Sequence, residues 1–261
     1  MSGAVVSGKS PAKRPIRVGK ARKGKWSGLK ALLIDIDNTI VRARNPEGCD
    51  RNGSFNTGSL MNVLHAAGVE LGGLTPEETA RRIERVQQHY KWWHWSDFIV
   101  ELGLEPKTFW EYAYEIEREY IEPTGPEISA SLERLQEAGF LLYVASNNPS
   151  SGILHKLRLA GIGHVNGSPL FSQLLGGTEL HAMKGERIYW QKVLAHTGLS
   201  AREAAVIGDN PHDDFVIPNS VGIRGSFIID RHEDLSANST DCLIYVKDFR
   251  QIVDILLGTE S

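Results

Sequence analysis

Cysteine is scarce in this sequence. Cys49 and Cys242 are the two thiols in 261 residues, and neither sits in a Cys-x-x-Cys pair or beside a histidine. That excludes a disulfide framework and a cysteine-built metal site, and the thiols read as idle or buried groups in a reducing compartment. Long apolar runs are missing as well. The longest, Phe140 to Ala145, has six residues, far short of the roughly 20 that span a bilayer. Acids are absent from residues 1–30, and no continuous apolar stretch there resembles a secretory signal. What is present, 41% hydrophobic and 23% charged residues, is ordinary for a folded domain and excludes collagen-like and wholly disordered classes. A soluble, cytoplasmic protein is the expectation.

The charge is unevenly placed. The chain holds 29 basic and 32 acidic residues, and nine of the basic ones lie in residues 1–30. That leaves 20 basic against 32 acidic over residues 31–261, a net of −12. A body so negative repels nucleic-acid backbones, so nucleic acid could be a partner only through residues 1–30. Mixed Gly, Pro and Ser with no apolar period makes residues 1–27 a disordered basic tail. Its acid-free composition also resembles an organelle import segment.

The apolar pattern predicts an α/β fold. Ala31–Ile34, Phe140–Ala145 and Ala204–Ile207 are buried-strand runs, followed at once by Asp35-Ile36-Asp37-Asn38-Thr39, Ser146-Asn147-Asn148 and Gly208-Asp209-Asn210. Helical signals alternate with them, with further strands near 164–166, 227–229 and 243–246. This order gives a Rossmann-like parallel sheet with helices on both faces. In such sheets ligands bind beyond the carboxyl ends of the central strands, which is where these polar groups fall. Residues 59–120 are different, because every strong signal there is helical. Thr75-Pro76-Glu77-Glu78 and Glu105-Pro106 mark helix starts, and residues 42–58 read as a loop.

Four pieces carry chemistry. Asp35 and Asp37, two positions apart at a strand end with Thr39 beyond, can share one cleft. Ser146 and Asn147 offer a hydroxyl and an amide suited to phosphate oxygens. Lys184, 25 positions before Asp209, is a compact counter-charge. Asp209, Asp213 and Asp214, in a Gly/Pro loop, suit a hard divalent cation. In this order the four resemble the motifs of the haloacid dehalogenase superfamily of phosphohydrolases, over residues 28–257.

The resemblance implies roles. Asp35 is the nucleophile and Asp37 the general acid/base. Thr39, Ser146, Asn147 and Lys184 bind the phosphoryl group. Mg²⁺ is the cofactor, held by Asp35, Asp37 (through its carbonyl) and Asp209, with Asp213 favoured over Asp214 for support behind them. Asp35 and Ser146 lie 111 positions apart, which implies an inserted helical cap at 44–122 between core segments 28–43 and 123–258. The implied activity is hydrolysis of a small phosphate monoester through an aspartyl-phosphate. A phosphomutase shares all four motifs, and a nucleic-acid-associated role of the tail is the alternative of another class. Members that cleave carbon–halogen bonds lack the second Asp. Tyr90, Trp92, Trp93, His94 and Trp95 either line the substrate site or pack the cap. Arg42 and Arg44 either meet a second anionic group or are solvated.

Overall fold

The computed structural model describes residues 26–44, 60–89, 95–165, 168–231, 235 and 238–259. Residues 1–25, Cys49 and Tyr90 to His94, on which the readings of the tail and of most of the aromatic run rest, lie outside them.

In chain order the elements are β1 (Ala31–Ile34), β2 (Val41–Ala43), α1 (Leu60–Glu70), α2 (Pro76–His89), α3 (Trp95–Glu101), α4 (Pro106–Glu117) and β3 (Ile121–Pro123). Then come α5 (Ile128–Glu137), β4 (Leu141–Ser146), α6 (Ser150–Leu159), β5 (His164–Val165), β6 (Ser168–Pro169), β7 (Gln173–Gly176), α7 (Gly177–Leu180) and α8 (Arg187–Thr197). The chain closes with β8 (Ala204–Gly208), α9 (Ile217–Ser220), β9 (Ser226–Ile229), β10 (Leu243–Val246) and α10 (Phe249–Leu257).

Six strands form one parallel sheet in the order β10-β9-β8-β1-β4-β7. Its central strands are apolar along their length, up to Ser146 at the end of β4 and Gly208 at the end of β8, because both faces are covered. Side chains alternate with a period of two. Leu32, Ile34, Leu142, Val144, Ala205 and Ile207 join one buried cluster; Ala31, Leu33, Tyr143, Ala145, Ala204 and Val206 join the other. The register sets Ile34 opposite both Val144 and Ile207. The three central strands therefore give out side by side. The chain leaves β1 toward β4 on one side and reaches β8 on the other, so this edge is the topological switch point.

The helical block α1–α4 lies between β2 and β3, which pair antiparallel as its two-stranded stem. It has its own apolar cluster, including Leu64, Phe98, Ile99, Phe109 and Ala113. Two helix starts are fixed by local chemistry. Thr75 Oγ1 accepts from Glu78 N–H (3.2 Å) ahead of Pro76, and the Glu105 carboxylate accepts from Thr108 N–H (2.7 Å) ahead of Pro106. Block and sheet layer meet along α6. There Gly152 gives Trp95 room, since a Cβ would stand 2.9 Å from its indole nitrogen. Trp110 lies against His155 (ring centroids 5.2 Å apart). His155 also hydrogen-bonds Glu117, both side chains being almost fully buried. Removing one partner strands a polar group inside. Glu117→Ala is expected to cost about 3 kcal/mol and to lower Tm by several degrees in a thermal melt; an unchanged Tm would show that the pair holds nothing.

Several expectations are corrected. Trp26, assigned to the tail, is buried against Phe227 (centroids 4.9 Å). Residues 42 and 43, read as the start of a loop, belong to the strand Val41–Ala43, because its antiparallel partner lies some 80 residues away and leaves no local trace. The strand near 164–166 does not enter the main sheet; His164–Val165 pairs with Ser168–Pro169, and Gln173–Gly176 is the sheet's edge strand instead. No helix among the described residues is long and apolar enough to cross a membrane.

Candidate active site

Asp35 is the first residue past β1, and its N–H still bonds Ile207 O (2.8 Å), so the sheet holds its backbone. Its side chain meets the Lys184 ammonium (2.7 Å) and accepts weakly from Thr39 Oγ1 (3.3 Å). Lys184 is 4% exposed and is placed by its own backbone. Its N–H donates to Asn147 Oδ1 (2.7 Å), and its carbonyl accepts from Trp190 Nε1 (2.9 Å). The same ammonium also pairs with Asp214 (2.6 Å). Of the residues expected at the phosphoryl group, Thr39 thus bonds the nucleophile candidate and Asn147 the lysine backbone.

Asp214 is fully buried and Asp213 is not. After Pro211 the chain makes one wide helical turn, His212–Val216, a form common at functional sites. Asp214 N–H bonds Asn210 O (2.8 Å), and Asn210 N–H donates back to Asp214 Oδ2 (3.1 Å). The side chain folds over Gly208, where a Cβ would come within 2.1 Å of the Asp214 carboxyl. Only glycine admits that approach. Asp213, partly exposed, meets His212 (2.8 Å) and lies over Gly185 instead. The supporting position expected for Asp213 is therefore held by Asp214. Replacing Gly208 by Ala should displace that carboxyl, cutting turnover and Tm together; retention of both would contradict the packing.

Carboxylate oxygens of Asp35, Asp209 and Asp214 lie within 4.8 Å of one another. Burial pushes Asp35 up to about 8; Lys184 opposes this, and Asp214, Asp209 and Asp37 add to it. Burial and then Asp214 push Asp209 up to about 6. Burial alone would discharge Lys184, but Asp214 and Asp35 outweigh it and keep it protonated. Three carboxylates against one ammonium leave an excess of negative charge that a hard divalent cation removes, so the donor set fits Mg²⁺.

Asp37 sits at the mouth, half exposed. Both of its oxygens are taken: Lys156 Nζ at 2.5 Å and Asn148 Nδ2 at 2.6 Å. Burial works against its charge, yet Lys156 and Asn148 hold the carboxyl below its ordinary range. Ser146, at the end of β4, is buried, and its Oγ accepts from Asn148 N–H (3.1 Å) and Nδ2 (3.0 Å). Sequence reasoning missed Lys156, which lies ten positions beyond Ser146 on a helix and belongs to no motif. It also missed Arg231, whose guanidinium donates to Asn38 O. That bond supports a residue in the left-handed region (φ 52°), a conformation Asn tolerates. Arg42 and Arg44 turn to Glu122, not to the site. Trp95, the described member of the aromatic run, packs inside the block.

The sequence matches the haloacid dehalogenase-like hydrolases over residues 29–215, a span that takes in Asp35, Ser146, Lys184 and Asp209, and the chain belongs to that family. A phosphoglycolate phosphatase of Pasteurella multocida is 33% identical over 88 residues, which cover 34% of this chain and 37% of the relative. One from Vibrio cholerae is 26% identical over 120 residues, 46% of this chain and 51% of its own. The chain thus spans about a third to a half of the length of these curated relatives. Among solved structures, a HAD phosphatase from Thermococcus onnurineus has a TM-score of 0.55 at 22% identity, over 89% of this chain and 99% of its own. Similarity at that level speaks to the fold.

Proposed function

We propose that the chain is a phosphatase that hydrolyses a small phosphate monoester through an aspartyl-phosphate on Asp35. The observation that carries this reading is the convergence of Asp35, Asp209 and Asp214 around Lys184 at the switch point of the sheet. Asp35, Asp209 and the Asp37 carbonyl would hold Mg²⁺, which supplies charge neutralisation to the phosphoryl oxygens when bound.

Asp35 Oδ forms a bond to phosphorus as the bond from phosphorus to the leaving oxygen breaks, and Asp37 gives that oxygen its proton. Asp37 must enter this step protonated, although Lys156 and Asn148 favour its charged form in the free protein. A water then attacks phosphorus, its proton passes to Asp37, and the bond to Asp35 breaks, releasing phosphate. Lys184 stabilises the charge that builds on the phosphoryl oxygens. Ser146 Oγ, which already accepts two bonds, has its own O–H left to donate to one of them. Helices α1–α4 would act as a cap that closes over the leaving group and selects it.

The test is phosphate release from sugar phosphates, nucleotides, phosphoglycolate and an aryl phosphate. Turnover on at least one is expected with Mg²⁺, lost with EDTA and regained on adding Mg²⁺ back. Folded protein with no turnover on any ester would overturn the reading.

A further inference from the structure

Lys156 is a charged residue at the site mouth that no motif accounts for, and its placement is built rather than incidental. It stands on α6, its side chain only 14% exposed, bonded to Asp37 Oδ1 (2.5 Å) and to Asn148 Oδ1 (3.3 Å). Asn148 completes the fork through Asp37 Oδ2 (2.6 Å) and is itself pinned by Ser146 Oγ. The neighbouring His155 fixes the same turn of α6 to Glu117 of α4. A carboxylate held at both oxygens cannot rotate. Asp37 otherwise lies within electrostatic reach of Asp35 and Asp209, which a cation would gather, and a free Asp37 side chain could be drawn in with them.

We infer that Lys156 is a positioning residue: together with Asn148 it holds the Asp37 carboxyl toward the leaving oxygen and out of the acidic cluster. This rests on the role proposed above for Asp37. A positioned general acid is worth about 10²–10⁴-fold, chiefly where the leaving group needs a proton. Loss of the fork should therefore be felt on alkyl phosphates and hardly on aryl phosphates whose phenolate leaves unprotonated.

The test compares Lys156→Met, which keeps the apolar stem, with Lys156→Arg, which keeps the charge and the donors. For Lys156→Met, kcat on an alkyl phosphate should fall at least about tenfold and on 4-nitrophenyl phosphate less than about threefold, with KM little changed. Lys156→Arg should restore most of the alkyl-phosphate rate. Equal losses on both esters, a rise in KM alone, or no change would overturn the inference. A crystal structure of Lys156→Met decides the matter whether or not the wild type turns over. Asp37 should have left Asn148, and an unmoved carboxyl would sink the proposal. An inactive wild type would instead count against the phosphatase reading.

Discussion

Asp35→Asn should abolish phosphate release, by at least about 10⁴-fold, without lowering Tm. The two halves of this expectation have one cause. Asp35 is 7% exposed and sits beside two further carboxylates, so in the free protein its charge is resisted by burial and by its neighbours. An amide of the same shape removes that repulsion. Lys184 keeps Asp214 as a partner, and the amide oxygen can face the ammonium. The amide NH₂ then donates to Thr39 Oγ1, a hydroxyl that accepts as readily as it donates. The amide oxygen is, however, too weak a nucleophile to attack phosphorus, and Mg²⁺ loses a charged ligand. Stability retained or gained while activity vanishes is the signature of a residue kept for function at the expense of folding. Turnover and a thermal melt, both without and with Mg²⁺, check it. The variant should also lose most of the Tm increase that Mg²⁺ gives the wild type. Turnover near that of the wild type would remove Asp35 from the mechanism.

The parts of the site legible in the sequence share a physical feature. Each is a polar group placed directly after a fully apolar strand run, and strands buried on both faces are the strongest local signal an α/β chain offers. Asp35 follows β1, Ser146 ends β4 and Asp209 follows β8, so a parallel sheet with its site at the carboxyl ends of these strands could be derived from the runs. Helix starts at Pro76 and Pro106 were legible for a similar reason, since capping chemistry is local.

What stayed hidden depends on partners distant in sequence or on the sense of one turn. The β2–β3 ribbon pairs Val41 with Pro123. The edge strand β7 (Gln-Leu-Leu-Gly) has no β-branched residue to announce it. Lys156 acquires its role only because α6 runs back beneath Asp37. Adjacent acids such as Asp213 and Asp214 are equivalent in composition, and the wide turn with the missing Cβ of Gly208 decides which one faces inward.

That last difference yields a paired prediction. In Asp214→Asn the side chain keeps its shape, but the native Oδ1 meets the Lys184 ammonium and Oδ2 the Asn210 N–H. One of the two must then face an amide NH₂, donor against donor, in a position with no access to water. The expected cost is about 2–3 kcal/mol of stability. Lys184 loses half of its counter-charge and the cluster one of its three carboxylates, so Mg²⁺ affinity or turnover should fall about 10–100-fold, as when a support behind a metal ligand is removed. Asp213→Asn changes an exposed contact with His212, a kind of pair that contributes little. It should leave melt, Mg²⁺ titration and turnover close to wild type. Calorimetric Mg²⁺ binding and phosphate release on both variants separate the two acids. If Asp213→Asn proves the damaging change and Asp214→Asn the silent one, then the turn after Pro211 presents the other acid to the site, and the inward fold of Asp214 over Gly208 is wrong.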